Sequence, residues 1–208
     1  AGRETPAIIE AALSAGVRLV QLREKSLPAR DLFRLAELAR RLTDAAGALL
    51  IINDRLDVAL ASGADGVHLG QEDLPIEAAR RLAPDLILGA STHSAAEAEA
   101  AGRAGASYLN IGPIFPTGTK TWPGKFLGLD GLQAIAPHAA IPWTVMGGIK
   151  DGHVPALVAA GARTLAVVTA VTAAPDPARA ARDLLDAIRA ARTAPLRSSK
   201  VRNQHSES

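Results

Sequence analysis

Residues 62–69 read Ser62-Gly63-Ala64-Asp65-Gly66-Val67-His68-Leu69, a run of small residues followed by a short apolar segment. The small residues let a helix end and the chain turn tightly, and the apolar segment is typical of a buried strand. Phrases of the same kind recur before other apolar runs: Ala15-Gly16-Val17, Ala104-Gly105-Ala106 and Ala160-Gly161-Ala162. This repetition predicts a chain built from successive βα units.

Short apolar runs that are apolar on both faces predict parallel strands covered by helices. These runs are Val17–Leu22, Leu49–Asn53, Gly66–Leu69, Ile87–Ser91, Tyr108–Gly112, Trp143–Gly147 and Thr164–Thr169. Between them lie Ala-rich segments with helical spacing, and one buried helix face is predicted for Leu32, Leu35, Ala36, Ala39 and Leu42. We expect Thr5 to be an N-cap with Pro6 in the first helical turn, and Gly16 and Gly47 to end helices.

The alternation of strands and helices predicts an α/β fold, and we expect a TIM (βα)8 barrel; an open doubly wound sheet is the alternative. A TIM barrel has eight strands, whereas the sequence supplies seven because it opens directly with a helix. Either the first strand precedes Ala1, or the barrel has a gap beside Val17–Leu22. A gap would expose unpaired backbone and favour a homo-oligomer.

Residues 1–192 are predicted to form a single barrel domain, because this length suits one domain and is short for two. From residue 193 to residue 208 the apolar periodicity is lost, and we expect a disordered C-terminal tail.

Composition excludes several classes of protein. Only 3% of the residues are aromatic, which argues against single-stranded nucleic acid as a partner, and a formal charge of +2 is too small to indicate duplex DNA. The chain has no cysteine, so disulfides and thiolate metal sites are excluded. No apolar run is long enough to cross a bilayer. We expect a cytoplasmic protein with no nucleic-acid or membrane partner.

The candidate functional residues follow the predicted strands, where a barrel collects its functional groups. Gln21, Arg23 and Lys25 alternate at the end of one strand, so their side chains share a face and can bind an oxyanion. Asp54, next to Asn53, and Asp73 end the next two strands and can converge on a hard cation. Both carboxylates also suit helix caps, which is the alternative; we favour Mg²⁺ bound together with a pyrophosphate.

Later strand ends carry groups suited to a substrate ring and to phosphate. The Ser91 hydroxyl can hydrogen-bond a substrate ring, whereas His93 is only weak evidence for acid–base catalysis. The loop Pro116-Thr-Gly-Thr-Lys-Thr-Trp122 presents two hydroxyls and an ammonium, those of Thr117, Thr119 and Lys120. Gly147-Gly148-Ile149 and Val168-Thr169-Ala170 follow the last two strands, the usual barrel phosphate site, where backbone N–H groups approach an anion closely.

Taken in order, these phrases resemble the thiamine-phosphate synthase family. The matching phrases are Val20-Gln-Leu-Arg-Glu-Lys25, Asn53-Asp54-Arg55, Ala64-Asp-Gly-Val-His-Leu-Gly-Gln-Glu-Asp73, Ser91-Thr-His93, Gly112-Pro-Ile-Phe-Pro-Thr-Gly-Thr-Lys120, Gly147-Gly-Ile149 and Ala166-Val-Val168. They cover nearly the whole chain from Gly16 to Pro177, and an ordered set of this kind is far more specific than any single phrase.

The resemblance implies a transferase that joins aminopyrimidine diphosphate to thiazole phosphate, giving thiamine phosphate and pyrophosphate. By position it implies that the diphosphate is held by Gln21, Arg23, Lys25, Asn53 and Lys120, among which Arg23, Lys25 and Lys120 assist its departure. It also implies Mg²⁺ on Asp54 and Asp73, and the pyrimidine on Ser91. The thiazole phosphate would be held by Thr117, Thr119, Gly148, Val168 and Thr169.

Two rival functions remain. The resemblance extends to thiazole tautomerases on the same fold, but these tend to carry a histidine within the phrase that reads Gly112-Pro113-Ile114 here, and proline cannot transfer protons. The other rival is a non-catalytic phosphate-binding barrel, which would bind the ligands without turnover.

Overall fold

The computed structural model describes residues 4–118 and 124–193. Within these residues, seven parallel strands form one sheet in chain order: β1 (Leu19–Leu22), β2 (Leu49–Asn53), β3 (Gly66–Leu69), β4 (Ile87–Thr92), β5 (Tyr108–Ile111), β6 (Trp143–Met146) and β7 (Leu165–Ala166). The helices are α1 (Thr5–Ala15), α2 (Ala29–Ala46), α3 (Leu56–Ser62), α4 (Ile76–Leu82), α5 (Ala95–Arg103), α6 (Gly128–Ile135), α7 (Val154–Ala159), α8 (Thr169–Thr172) and α9 (Pro177–Thr193). The result is a TIM-like half-barrel, so the predicted α/β barrel class is confirmed.

The predicted and observed strands differ mainly at the two ends of the sheet. Strands β2 to β6 agree with the prediction to within one residue. The run Thr164–Thr169 shortens to Leu165–Ala166, because α8 already begins at Thr169 and only β6 pairs with β7. The run Val17–Leu22 begins as a strand only at Leu19.

The sheet is open between β1 and β7, where the eighth strand of a complete barrel would lie. Leu19 and Leu49 are register partners beside this opening, and they are 46% and 40% exposed, so the interior is not covered there. The outer layer does close, because α9 packs against both α1 and α7. Val154, Val171 and Leu184 form the apolar core of that contact.

Two larger apolar cores lie between the sheet and its helices. Leu50 and Ile52 of β2 pack in one of them, and Leu109 and Ile111 of β5 pack in the other. Because side chains alternate along a strand, the intervening residues of each strand face the barrel interior. The sequence of β3 to β5 therefore places polar groups inside the barrel, as described below.

The Asp65 carboxylate connects several elements at the amino-terminal end of the sheet. Asp65 Oδ2 accepts a hydrogen bond of 2.6 Å from the Leu50 backbone N–H and forms an ion pair with Arg40 of α2. These contacts join β2, β3 and α2 at the end of the barrel opposite the predicted site. The functional groups are thus left to the carboxyl ends of the strands.

Most of the predicted helix features are confirmed. Leu32, Ala36 and Ala39 are buried on one face of α2, and Gly16 and Gly47 end their helices with left-handed φ angles of 106° and 62°. The prediction for Thr5 was wrong: Glu4 occupies the N-cap, and Thr5 Oγ1 instead donates to Glu24 Oε1 at 2.8 Å.

No helix within residues 4–118 and 124–193 combines the length and the apolar character that a membrane span needs.

Candidate active site

Three charged side chains meet at the carboxyl end of the sheet. Lys25 follows β1, Asp54 follows β2 and Asp73 follows β3. Lys25 Nζ lies 2.9 Å from Asp54 Oδ2, and a side-chain hydrogen bond links Asp54 with Asp73. Residues that are 19 or more positions apart in the chain are therefore brought together by three neighbouring parallel strands. The predicted convergence of Asp54 and Asp73 is present in the structure.

Neither carboxylate caps a helix. The N-cap of α3 is Arg55 and that of α4 is Pro75, and neither helix has a side-chain cap. Asp73 Oδ2 instead accepts a hydrogen bond of 2.7 Å from the Gly70 backbone N–H. The cap alternative is thus wrong for both residues.

The two carboxylates also perturb each other. Burial is the largest cause that raises the pKa of Asp73, and the neighbouring Asp54 raises it further, while the Gly70 N–H and Lys25 oppose the shift. Within the described part of the chain, no group of three or more His, Cys, Asp and Glu side chains could hold a metal ion. A pair of carboxylates suits a hard cation that keeps several of its waters.

Three other residues that were predicted to hold the diphosphate lie on β1 and β2 or directly after them. Arg23 follows directly after β1 and is half-buried, and Asn53 ends β2 and is also half-buried. Gln21 lies within β1, where its side chain hydrogen-bonds Tyr108. Gln21 therefore points into the barrel interior rather than only toward the rim.

A row of polar groups crosses the barrel interior, and two of its members, His68 and Tyr108, were not among the predicted site residues. His68 is 4% exposed, and its Nδ1 lies 2.9 Å from Tyr108 Oη while its Nε2 lies 2.9 Å from Ser91 Oγ. Burial lowers the pKa of His68 to about 4, against an opposing effect of Asp54. Burial also raises the pKa of Tyr108 well above its usual range, and the hydrogen bond with Gln21 opposes that rise. Ser91 thus belongs to a buried hydrogen-bonded chain.

Asn110 is the register partner of Ser91 on β5 and is 4% exposed. Its Nδ2 donates to Met146 Sδ at 2.8 Å, while its Oδ1 is buried without a hydrogen-bond partner among the described residues. A buried acceptor of this kind is costly unless something satisfies it. It lies beside the serine that we expect to contact a substrate ring.

His93 joins two neighbouring strand ends through hydrogen bonds. Its Nδ1 lies 2.5 Å from the Gly112 carbonyl oxygen, and its backbone N–H donates to Glu97 Oε2 at 2.7 Å. The side chain thereby joins the ends of β4 and β5. Helix α5 begins after Ser94, whose hydroxyl accepts from the Glu97 N–H.

The predicted phosphate-binding loops pack against each other. The N–H groups of Ile114 and Phe115 donate to the carbonyls of Met146 and Gly147, which joins the loop after β5 to the end of β6. A Cβ added to Gly148 would lie 2.3 Å from the Pro116 carbonyl oxygen, next to Thr117. Backbone therefore approaches backbone at this point, as the glycine pair predicts.

Val168 and Thr169 lie at the start of α8, with Val168 at the N-cap and 47% exposed. Thr119, Lys120 and the tail from residue 194 lie outside the described residues.

Comparisons with known proteins agree on one family. The family model described as thiamine monophosphate synthase matches residues 1–171. A thiamine-phosphate synthase of Chloroflexus aurantiacus is 49% identical over 183 residues, covering 88% of this chain and 85% of that protein. One of Moorella thermoacetica is 47% identical over 192 residues, covering 92% and 91%. The solved structure of a thiamine phosphate pyrophosphorylase from Pyrococcus furiosus superposes with a TM-score of 0.86 at 37% identity, covering 91% of each chain.

Proposed function

Because the chain belongs to the thiamine monophosphate synthase family, we propose that it joins aminopyrimidine diphosphate to thiazole phosphate, giving thiamine phosphate and pyrophosphate. It is a transferase of thiamine biosynthesis. The observation that carries the assignment to this site is the contact of Lys25, Asp54 and Asp73 at one rim. A cation beside a pair of carboxylates suits a ligand with several negative charges and its counter-ion.

The reaction breaks the bond between the pyrimidine methylene carbon and a diphosphate oxygen. The electron pair of that bond leaves with the pyrophosphate, so negative charge grows on the departing group. Arg23, Lys25 and Lys120 are proposed to stabilise this charge, with Gln21 and Asn53 orienting the diphosphate. Groups that interact more strongly with the departing pyrophosphate than with the bound substrate raise the rate.

Asp54 and Asp73 are proposed to hold Mg²⁺. Burial is the main cause that raises the pKa of Asp73, and Asp54 raises it further. The contribution of Asp54 supports this assignment, because two adjacent carboxylates repel each other and a dication relieves that repulsion. When bound, the ion supplies positive charge next to the diphosphate oxygens. In the structure the Lys25 ammonium supplies part of that charge through its contact with Asp54.

The second substrate is proposed to bind by its phosphate at the other side of the rim, on Thr117, Thr119, Gly148, Val168 and Thr169. The close packing of Gly148 on the Pro116 carbonyl supports this, because it brings the Thr117 loop next to the glycine pair. The thiazole nitrogen then attacks the methylene carbon, and the new C–N bond replaces the broken C–O bond. Holding both reactants in place removes the need for a nucleophile from the protein.

The test is to incubate the purified full chain with both phosphorylated substrates and Mg²⁺ and to assay thiamine phosphate and pyrophosphate. We expect the two products in equal amounts. Binding of both substrates without product would support a non-catalytic barrel and contradict the proposal. A change in the thiazole phosphate alone, without the pyrimidine substrate, would instead support a tautomerase.

A further inference from the structure

His68, Gly89 and Tyr108 are register partners on the adjacent strands β3, β4 and β5. A Cβ added to Gly89 would lie 2.4 Å from His68 Nδ1 and 2.4 Å from Tyr108 Oη, which is closer than side-chain atoms approach. Any side chain at position 89 would therefore separate the His68 and Tyr108 rings. Gly89 is the opening through which the imidazole and the phenol make their hydrogen bond.

The protons in this chain of groups can be assigned from the number of donors and acceptors. The two nitrogens of the buried imidazole each contact a hydroxyl group, so we take the ring as neutral, with one nitrogen donating and the other accepting. The hydrogen bond with Gln21 opposes the rise in the pKa of Tyr108, which is the effect of an amide N–H donated to the phenol oxygen, and we assign it so. The phenol proton then points to His68 Nδ1, and His68 Nε2–H points to Ser91 Oγ.

This assignment excludes His68 as the acceptor of the Ser91 hydroxyl proton. Since Ser91 Oγ accepts from His68, its own proton must be donated elsewhere. The backbone of Ser91 is also fixed, because its carbonyl oxygen accepts a hydrogen bond of 2.6 Å from Gln71 Nε2. The hydroxyl can still turn, but accepting from His68 keeps its proton away from the imidazole and leaves it available to a ligand.

We propose that His68, held by Tyr108 across Gly89, is a positioning residue that directs the Ser91 hydroxyl as a hydrogen-bond donor toward an acceptor nitrogen of the pyrimidine ring. The proposal rests on the proposed function for the identity of the ring that Ser91 contacts. It assigns His68, Gly89 and Tyr108 to substrate specificity without direct contact with the reacting atoms. A ring that offers a donor in place of that nitrogen would be bound less well.

The test is a double-mutant cycle on Tyr108 and Ser91, with binding of aminopyrimidine diphosphate measured by titration calorimetry. Tyr108→Phe removes only the hydroxyl and keeps the ring. We expect this change to weaken binding about tenfold when Ser91 is present, as for a lost buried hydrogen bond. In the Ser91→Ala background the same change should alter binding less than about twofold, because the hydroxyl that His68 orients is then absent.

Equal losses in the two backgrounds would overturn the proposal, because Tyr108 would then act without Ser91. So would unchanged binding after Tyr108→Phe alone. Affinity for thiazole phosphate should stay constant in all four proteins, whereas a general structural defect would lower it as well. Tyr108 is the one tyrosine in the sequence, so phenolate absorbance reports directly on its surroundings in each protein that contains it.

Gly89→Ala tests whether the space at position 89 is needed for the contact between His68 and Tyr108, and Gly102→Ala is its matched control. An added methyl group at Gly102 meets nothing within 4 Å, whereas at Gly89 it meets both rings. We expect Gly89→Ala to weaken pyrimidine binding and Gly102→Ala to leave it unchanged. Product formation by the unaltered protein is assayed separately, and its absence would contradict the proposed function. Normal product formation together with equal effects of Tyr108→Phe in the two Ser91 backgrounds would contradict only the role of His68.

Discussion

The Lys25 ammonium and the Asp54 carboxylate form an ion pair of 2.9 Å between the ends of β1 and β2. The side chain of Lys25 is 52% exposed, so the pair is open to a ligand from solvent. An ion pair this exposed contributes little to folding stability. We therefore interpret it as charge arranged for a ligand, and the predictions below follow from that interpretation.

Replacing Lys25 should impair catalysis much more than stability. Lys25→Met keeps the length of the side chain and removes its charge, and we expect kcat to fall about 10²–10³-fold, as when a group that stabilises developing charge is lost. The matched control is Arg34→Met, because Arg34 is exposed on α2 and pairs only loosely with Asp31 at 3.7 Å. Steady-state assays of product formation compare the two, and equal kcat values would exclude Lys25 from the reaction.

Replacing Asp73 should separate stability from activity. The pKa of Asp73 is raised by burial and by Asp54, so the folded protein disfavours the ionised form relative to the unfolded chain. Its raised pKa means that this group favours folding at low pH and opposes it as the pH rises. Asp73→Asn, whose amide oxygen can still accept from the Gly70 N–H, should therefore raise the Tm measured without Mg²⁺.

The same variant should lose thiamine phosphate formation, because one of the two proposed metal ligands is gone. Thermal unfolding at neutral pH and product assays check the two outcomes together. A variant that is less stable and remains active would contradict both the repulsion between the carboxylates and their proposed role.

His68 should make stability depend on pH. Its pKa is lowered to about 4 in the folded protein, from an ordinary value of 6.5. Between these values the unfolded chain binds more protons, so the contribution of His68 is complete above about pH 6.5 and is lost as the pH falls toward 4. The loss between about pH 7 and about pH 5 is on the order of 2 kcal/mol.

His68→Gln removes this titration. Urea unfolding at the two pH values should therefore show a steeper fall for the unaltered protein than for the variant. Parallel changes in the two proteins would show that His68 titrates alike in the folded and unfolded states.

Gly148 should be needed for close backbone approach at the proposed thiazole phosphate site. Gly148 and Gly47 have nearly the same left-handed φ, 61° and 62°, but an added Cβ meets the Pro116 carbonyl at 2.3 Å in the first case and nothing within 4 Å in the second. Gly47→Ala thus measures the conformational cost alone, about 1–2 kcal/mol. We expect Gly148→Ala to raise the KM for thiazole phosphate about tenfold or more, as for a misplaced binding group.

Gly47→Ala should leave that KM unchanged. Steady-state assays with varied thiazole phosphate check both variants. An equal KM in the two would mean that the contact between Gly148 and the Pro116 carbonyl has no role in binding.

The sequence was sufficient to predict the strands that carry the site. Apolar runs with helical segments between them predicted β2 to β6 to within one residue, and parallel topology then required Asp54 and Asp73 to lie on one rim. The N-cap of α1 was predicted wrongly, because Thr5 suits an N-cap by residue type yet bonds Glu24, a residue remote in the chain. Contacts of that kind depend on how α1 packs, which local sequence does not specify.

The buried polar chain was missed for a similar reason. His68 and Tyr108 lie in apolar runs that read as ordinary buried strands, and 40 positions separate them in the sequence. Strand alternation would have placed His68 inside the barrel, and a glycine in the middle of β4 is itself a sign of close approach. What the sequence could not supply was the register that sets His68, Gly89 and Tyr108 side by side.

The central claim is that the rim formed by Lys25, Asp54 and Asp73 binds a diphosphate together with Mg²⁺. Calorimetric titration of pyrophosphate into the full chain, with and without Mg²⁺, tests this most directly. We predict binding that is strengthened by Mg²⁺ in the unaltered protein and loses that dependence in Asp54→Asn. Binding of equal strength with and without the ion, or dependence on the ion that persists in Asp54→Asn, would contradict the claim.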